Sequence, residues 1–312
     1  MPSVRILEIK EEQKNQRIDN FLITYLKGVP KSRIYRSLRK GEVRVNKSRV
    51  ESHYRLQYKD QVRIPPLRVP TPDQKLTISH QLSSRIHDSL LHEDDKLIVL
   101  NKPAGIPVHS GSNIAYGIIE ILRYLRPNAP FLELAHRLDR ETSGCLMIAK
   151  TRDMLLTLQN MQKNGLIHKS YLALVKGHWQ RKNQHINLPL SKNILQSGER
   201  IVKVDLGGKS ASSHFYPKKY YNKATLVEIA LETGRTHQIR VHSSYLGNPI
   251  AGDQKYGDPI FNKELKILGL HRLFLHARQV VFNFPRKKKP IEIVAPTPTE
   301  LDNVLKLWHD ET

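Results

Sequence analysis

His136-Arg137-Leu138-Asp139-Arg140-Glu141-Thr142-Ser143-Gly144 sets one carboxylate, Asp139, between two arginines. The stretch runs straight into Leu146-Met147-Ile148-Ala149, an apolar segment short enough to read as a buried strand. A neighbouring positive charge lowers the pKa of a carboxyl and keeps it ionised. An ionised aspartate at the end of a strand can act as a nucleophile or a base. On spacing alone, a structural Arg–Asp pair is the plainer expectation for the nine residues, so other stretches must decide.

Two such stretches lie downstream. Gly234-Arg235-Thr236-His237-Gln238-Ile239-Arg240-Val241-His242 packs cations behind a glycine. The glycine predicts a tight turn, after which Arg235 opens a helix over 237–246. Lys169-Ser170-Tyr171-Leu172-Ala173 puts a tyrosine in an apolar strand, where a core position is the plainer expectation. Further strands are predicted at Leu97–Leu100, Tyr171–Val175, Leu226–Ala230 and Ile291–Val294, and helices at Ile118–Leu125, Met154–Lys163 and Thr299–Trp308. Strands and helices do not alternate regularly, which predicts an α+β fold rather than a doubly wound sheet.

Moving toward the N-terminus, Pro65-Pro66-Leu67-Arg68-Val69-Pro70-Thr71-Pro72 holds four prolines in eight residues. Such a run continues neither a helix nor a central strand. It predicts a linker over 65–85 between a small module at 16–64 and a large domain at 86–312. In the module, Ile18, Phe21, Leu22, Tyr25 and Leu26 follow helical spacing. A second short helix is expected from an N-cap at Ser32 to Gly41, with Ile34 and Leu38 on one face and Arg33, Arg36, Arg39 and Lys40 on the rest. Val43-Arg44-Val45 and Gln61-Val62-Arg63-Ile64 then alternate like strands.

Charge narrows the partner. The 312 residues carry a net charge of +22 with a sequence pI near 10.0. Residues 5 to 68 alone hold 17 Lys/Arg against 7 Asp/Glu. A balance this basic, concentrated on a short helix and the strand after it, points to a polyanion, most simply nucleic acid. Lys31, Arg33, Arg36, Arg39, Lys40 and Arg44 are the expected contacts. Arg286-Lys287-Lys288-Lys289 reads as a solvated hairpin loop. The lone cysteine, Cys145, excludes an internal disulfide or a cysteine-based zinc site. No apolar run approaches the roughly 18 residues a membrane helix needs, and the first residues lack a signal peptide's apolar core, so a cytoplasmic protein is expected.

Several other chemistries find no support. Gly208-Lys209-Ser210 looks like the end of a phosphate-binding loop, but Lys203 stands where that motif needs its first glycine. No Gly-x-Gly-x-x-Gly follows a strand, so a dinucleotide or methyl-donor site of that type is not expected. Fifteen histidines include no His-Glu-x-x-His, so no metal is expected.

Taken together, the segments resemble the RluA-type RNA pseudouridine synthases, whose hallmark is His-Arg-Leu-Asp-x-x-Thr-Ser-Gly. All of those fixed letters stand at 136–144. The resemblance runs over essentially the whole chain, including Asn101-Lys102-Pro103-Ala104-Gly105 and Gly252-Asp253-Gln254-Lys255-Tyr256-Gly257. Residues 16–64 resemble the S4 RNA-binding module, through Arg17-Ile18-Asp19-Asn20-Phe21-Leu22 and Arg39-Lys40-Gly41-Glu42-Val43-Arg44-Val45-Asn46. That module is similar to the one found in members acting on large-subunit ribosomal RNA.

The resemblance implies a catalytic domain built on a mixed β-sheet and the isomerisation of uridine to pseudouridine in RNA. Nothing is oxidised and no group is imported, so it implies no cofactor and no metal. It implies that Asp139 is the catalytic carboxylate, that Arg235 pairs with it, that Tyr171 packs on the uracil, and that Arg137 helps hold the extruded nucleotide. Whether Asp139 attacks the sugar, attacks the base or removes a sugar proton stays open. A monomer acting on ribosomal RNA away from membranes is expected. A pseudouridine synthase for transfer RNA and a non-catalytic S4-type assembly factor are the alternatives. The second leaves the motifs of the large domain unexplained.

Overall fold

The structure, a computed structural model, describes residues 3–26, 29, 31–67, 78–111, 116–194, 200–284 and 289–307. The chain divides into two units, Met1–Thr77 and Ile78–Thr312.

In the first unit, strands β1 (Arg5–Glu8), β2 (Arg44–Val45), β3 (Ser48–Arg49) and β4 (Gln61–Ile64) form an antiparallel sheet in the order β1-β4-β2-β3. Helices α1 (Ile18–Tyr25) and α2 (Lys31–Arg39) supply the other half of its core. Ile18, Leu22, Leu26, Ile34 and Leu38 are buried with Val45, Val62 and Ile64, as the helical and alternating spacings require. Tyr25, at the edge of the predicted stripe, is exposed and stacks on Phe21. Ser32 lies inside α2 rather than capping it, because the helix already begins at Lys31. Gly41 follows the helix with φ +67°, a left-handed conformation that glycine adopts without steric cost.

The expected boundaries shift at both ends of the linker. β1 lies before residue 16 yet pairs with β4 along its whole length. Leu67 is buried in the first core, so the seam starts later than Pro65. At the far side, Ser79 caps a helix, α3 (His80–His87), by accepting from the Leu82 amide. That helix begins inside the stretch read as linker, runs two residues past its expected end at 85, and belongs to the second unit. The remaining prolines, Pro70 and Pro72, lie outside the described residues.

The second unit is built on a mixed sheet, so the α+β expectation takes a definite form. Its strands are β5 (Leu90–Glu93), β6 (Leu97–Lys102), β7 (Glu133–Leu134), β8 (Ser143–Ala149), β9 (Ile167–Lys176) and β10 (Gln184–Asn187), then β13 (Ser212–Tyr221), β14 (Ala224–Leu231), β15 (Leu275–Phe282) and β16 (Ile291–Val294). The main path runs β10-β13-β14-β9-β15-β8-β6-β5, with β16 on β15 and β7 on β8. Only the β15–β8 pair is parallel among the described strands. A hairpin of β11 (Leu190–Ile194) and β12 (Arg200–Val204) stands apart from this sheet. Helices α4 (Ile118–Leu125), α5 (Arg152–Lys163), α6 (Gln238–Tyr245), α7 (Pro259–Ile267) and α8 (Thr299–Leu307) complete the unit.

Every residue of β8 is buried, which explains its unbroken apolar run: a strand covered on both faces has no polar side to alternate. Leu97, Val99 and Met147 pack with Leu158 and Met161 of α5 and with Val280 and Phe282 of β15. On the other side of the path, Leu174 and Phe274 pack with Phe261, Leu265, Leu301 and Val304 from α7 and α8. Burying a side chain of this kind contributes roughly 1.5–3 kcal/mol, so these two clusters fix the sheet against its helices. β15 and β16 pair as a hairpin, and Arg286, Lys287 and Lys288 between them lie outside the described residues. No helix among the described residues is long and apolar enough to cross a membrane.

Candidate active site

Asp139 is delivered by a turn that β8 anchors from behind. Gly144, the last letter of the motif, has φ +108°, and a Cβ there would sit 2.2 Å from the carbonyl oxygen of Ala277. That is the point where β8 and β15 pair in parallel, through Ala277↔Gly144. Glycine is therefore required both by the backbone angle and by the closeness of the next strand. Thr142 donates its amide to the Asp139 carbonyl, closing the turn.

The turn is held from below by Lys102, which is fully buried. Its ammonium donates to the carbonyls of Pro103 at 2.8 Å, Ile106 at 2.8 Å and Arg140 at 3.0 Å, using all three protons. Burial pushes this lysine down to about 7, with the Arg272 charge acting in the same direction. Lys102 thus ties the 103–106 loop to the residue immediately after Asp139.

The side chain of Asp139, 26% exposed, opens on a cavity of about 210 Å³. Among the described residues it is the one carboxylate on a wall that also carries Arg137, Lys169, Tyr171, Arg235 and Arg240. The partner of Asp139 is Arg240, whose Nη1 donates to Oδ2 at 3.2 Å. This corrects the expectation that Arg235 would fill that role. α6 begins at Gln238, not at Arg235, so Arg240 lies in its first turn while Arg235 precedes the helix. Arg235 is exposed at the cavity rim, and its Nε donates to the Ser210 carbonyl.

Arg240 is itself immobilised. Its Nε and Nη2 donate to Oδ2 and Oδ1 of Asp253 at 2.7 and 2.8 Å, a two-pronged pair. Asp253, 1% exposed, accepts in addition from the amides of Lys255 and Tyr256. Burial opposes both charges. The mutual bonds outweigh it, holding Asp253 below the ordinary carboxylate range and Arg240 above the ordinary guanidinium range. The Arg240 guanidinium also lies over the Tyr256 ring, 5.0 Å from its centre.

His237 caps α6 in a left-handed conformation, φ 55°, that a non-glycine residue rarely adopts. Its Nδ1 meets the Tyr256 hydroxyl at 2.8 Å, and that hydroxyl accepts from the Val202 amide. The other ring nitrogen, Nε2, lies 3.8 Å from Asp139 Oδ2. Burial keeps this imidazole below its ordinary pKa, against the pull of the Asp139 charge, so it is neutral at pH 7. Neither His237 nor the Asp253 clamp carries a motif signal by itself. They lie in the Gly234–His242 and Gly252–Gly257 stretches, which by themselves assign neither residue a role.

Tyr171 on β9 is buried, 6% exposed, and reaches the cavity. Burial, with the nearby Asp139 charge, raises its hydroxyl well above the usual phenol range. The hydroxyl is therefore protonated at neutral pH. Arg137 is exposed and has no hydrogen-bonded or paired partner among the described residues. His136 turns inward, where its Nε2 accepts from the Met147 amide and burial pushes it down to about 3.

Of the six cations expected to meet RNA, Lys31, Arg36, Arg39, Lys40 and Arg44 are exposed. Arg33 is partly tied down by Glu42 at 3.0 Å. One group among the described residues has metal-ligating composition, His185, His214 and Glu232 on the β10–β13 face. Its polar atoms already satisfy one another: His214 bonds Glu232, and Ser212 bridges Glu232 to His185.

The sequence and the fold of the second unit are matched by known proteins. The profile of the RNA pseudouridylate synthase family covers residues 96–245, and curated relatives at 50% identity span 97% of the chain. The chain belongs to the RNA pseudouridylate synthase family. Among those relatives, Ribosomal large subunit pseudouridine synthase C of Haemophilus ducreyi is 50% identical over 97% of this chain and 95% of its own length. The protein of the same name from Escherichia coli K12 is 50% identical over 98% of this chain and 97% of its own. The solved structure of human RNA pseudouridylate synthase domain containing 4 is 27% identical, with a TM-score of 0.58, over 72% of this chain and 95% of that one.

Proposed function

We propose that this protein isomerises specific uridines to pseudouridine in large-subunit ribosomal RNA, with Asp139 as the catalytic carboxylate. The observation that carries the reading is the Asp253–Arg240–Asp139 chain, which holds a single carboxylate at a fixed point of the cavity wall. The relatives from Haemophilus ducreyi and Escherichia coli, both named as ribosomal large-subunit enzymes, supply the substrate class.

The reaction breaks the N1–C1′ bond, turns the uracil and joins C5 to C1′. A proton leaves C5 and one is gained at N1, so the product is an isomer and the balance calls for no cofactor or metal. Arg240 aims Asp139 by donating to its Oδ2. His237 places its Nε2 beside the same oxygen. Tyr171, held protonated, packs against the ring and can pass the C5 proton only by exchange through its hydroxyl. Arg137 and Arg235, exposed at the rim, hold the extruded nucleotide. Extrusion costs a few kcal/mol, which these contacts offset.

The first unit serves as an S4-type RNA-binding module, with Lys31, Arg33, Arg36, Arg39, Lys40 and Arg44 facing phosphates. Five exposed cations on and around one short helix support that role. The enzyme acts in the cytoplasm as a monomer. The test is to map pseudouridines in ribosomal and transfer RNA from cells with and without the gene, and from transcripts treated with purified protein. Losing specific large-subunit sites supports the reading. Loss confined to transfer RNA would establish the transfer-RNA alternative instead, and no loss at all would favour a non-catalytic assembly role.

A further inference from the structure

The cavity holds a cation that the protein leaves unneutralised. Lys169 stands on β9 two residues before Tyr171, so the two side chains share a face of the strand, and both line the cavity. Arg240 is committed to two carboxylates and Lys102 to three carbonyls, but the Lys169 side chain has no hydrogen-bonded or ion-paired partner among the described residues. Its surroundings on the wall are His136, Arg137 and Asp139 from the motif loop, Tyr171 on its own strand, and Arg235, His237 and Arg240 around the start of α6. His136, whose own proton affinity the Lys169 charge depresses, offers no acceptor to it, because its Nε2 is already bonded to Met147. Lys169 is half-buried, and an ammonium partly withdrawn from water with nothing to pair it is destabilising. A ligand that brings negative charge into the cavity removes that penalty.

The reaction brings such a charge by every route open to Asp139. If the carboxylate attacks C1′, an O–C1′ bond forms, N1–C1′ breaks, and its electron pair leaves on the uracil. If Asp139 takes the C2′ proton, the C–H pair becomes a C1′–C2′ double bond and the N1–C1′ pair again leaves on the uracil. If Asp139 adds to C6, the C5–C6 π pair moves into the C4 carbonyl as an enolate. In the first two routes the ring carries one negative charge from N1–C1′ cleavage until C5 bonds to C1′, and in the third it carries the enolate charge from the addition onward; loss of the C5 proton then returns a negative charge that protonation of N1 removes.

We propose that the Lys169 ammonium contacts the uracil ring directly and stabilises this negative charge while the base is detached or turned, which makes Lys169 a catalytic residue. The inference rests on the proposed function. It concerns the transition state rather than RNA affinity, because the charge is absent from the bound uridine.

The test uses full-length wild type, Lys169→Met and Lys169→Arg in single-turnover assays on a large-subunit ribosomal RNA transcript, with RNA affinity measured in parallel. Lys169→Met should lower the saturating rate by roughly 10²-fold and leave affinity within about twofold. Burial sets Lys169 at about 8. The wild-type rate should therefore fall as pH rises through that value and the ammonium is lost. Lys169→Arg should be slower than wild type at pH 7 but free of that alkaline limb, since arginine stays charged.

A Met variant that keeps more than half the wild-type rate overturns the proposal. So does a loss confined to RNA affinity, or an alkaline limb that wild type and Arg variant share. If the Met variant does not fold, the pH profiles of wild type and Lys169→Arg decide alone. An inactive wild type in this assay would count against the proposed function, whereas an active wild type with an active Met variant counts against Lys169 only.

Discussion

The basic helix of the first unit and the cavity wall of the second use the same residue type in opposite ways. On α2 and the strand after it, Arg36, Arg39 and Arg44 stand in solvent, and neither Arg36 nor Arg39 has a partner among the described residues. In the cavity, the Arg240 side chain is 12% exposed and every nitrogen of its fork is engaged by a carboxylate. The first kind of arginine supplies a field, which depends on charge and number and is screened by salt. The second kind supplies a position, which depends on shape. Net charge counts both alike, so it identifies a polyanionic partner without locating the chemistry.

The sharpest break of that contrast is Asp139→Asn, which keeps the shape of the site and removes its base or nucleophile. The single-turnover rate should fall by roughly 10²–10⁴-fold with RNA affinity kept. Near-normal turnover, with deamidation excluded by mass spectrometry, would remove Asp139 from the mechanism.

Next comes one substitution made in both regions. Arg240→Lys retains charge but cannot span Asp253 and Asp139 together, and charge-assisted bonds contribute about 1.5–3 kcal/mol each. A rate loss on the order of 10²-fold and a lowered melting temperature are expected. Arg36→Lys should leave the rate, the melting temperature and the salt dependence of binding unchanged. Equal sensitivity of the two variants would mean that the distinction between field and position does not hold.

Tyr171→Phe should have a smaller effect, about tenfold on rate for the missing hydroxyl interaction, whereas Tyr171→Ala should be far slower because the ring itself is gone. If Phe matches wild type, the hydroxyl takes no part and only the packing matters.

The smallest effect on chemistry belongs to charge reversal at Arg33, Arg36, Arg39 and Arg44. The rate on saturating RNA should be unchanged. Every phosphate that the variant no longer neutralises should flatten the plot of log K against log salt by roughly 0.7–0.9. Binding measured at four or five salt concentrations reads this directly. Parallel lines for wild type and variant would reduce the basic helix to a solvated face.

Much of the architecture was legible because period and burial agree. The apolar run at 146–149 is β8, and the spacing at 18, 22 and 26 is the buried face of α1. β13 was not legible, since Ser212–Tyr221 mixes histidine, lysine and tyrosine with Pro217, and the strand accommodates that proline at a register shift. β15 was hidden for a similar reason. Its His276 and Arg278 read as polar, although His276 is fully buried between Ser143 and the Ala295 carbonyl.

At the site, Asp139, Tyr171 and Arg137 were singled out through the family resemblance and line one cavity, but the partner of Asp139 turned on where α6 starts. Arg235 and Arg240 are both near the motif, and only the position of the helical turn chooses between them. Asp253, which aims Arg240, lies 13 residues away along the chain, and contacts of that kind leave no periodic trace.

Lys102 offers a clock for the turn that carries Asp139. Its nitrogen cannot meet a solvent-borne reagent while the three carbonyls hold it, so acylation must wait for the 103–106 loop and Arg140 to part. The rate at which an amine-reactive label appears on that one lysine, read by peptide mass, therefore counts openings of the catalytic turn. A substrate transcript that seats itself in the cavity should slow the count, and the degree of slowing would report how firmly RNA binding holds the turn closed.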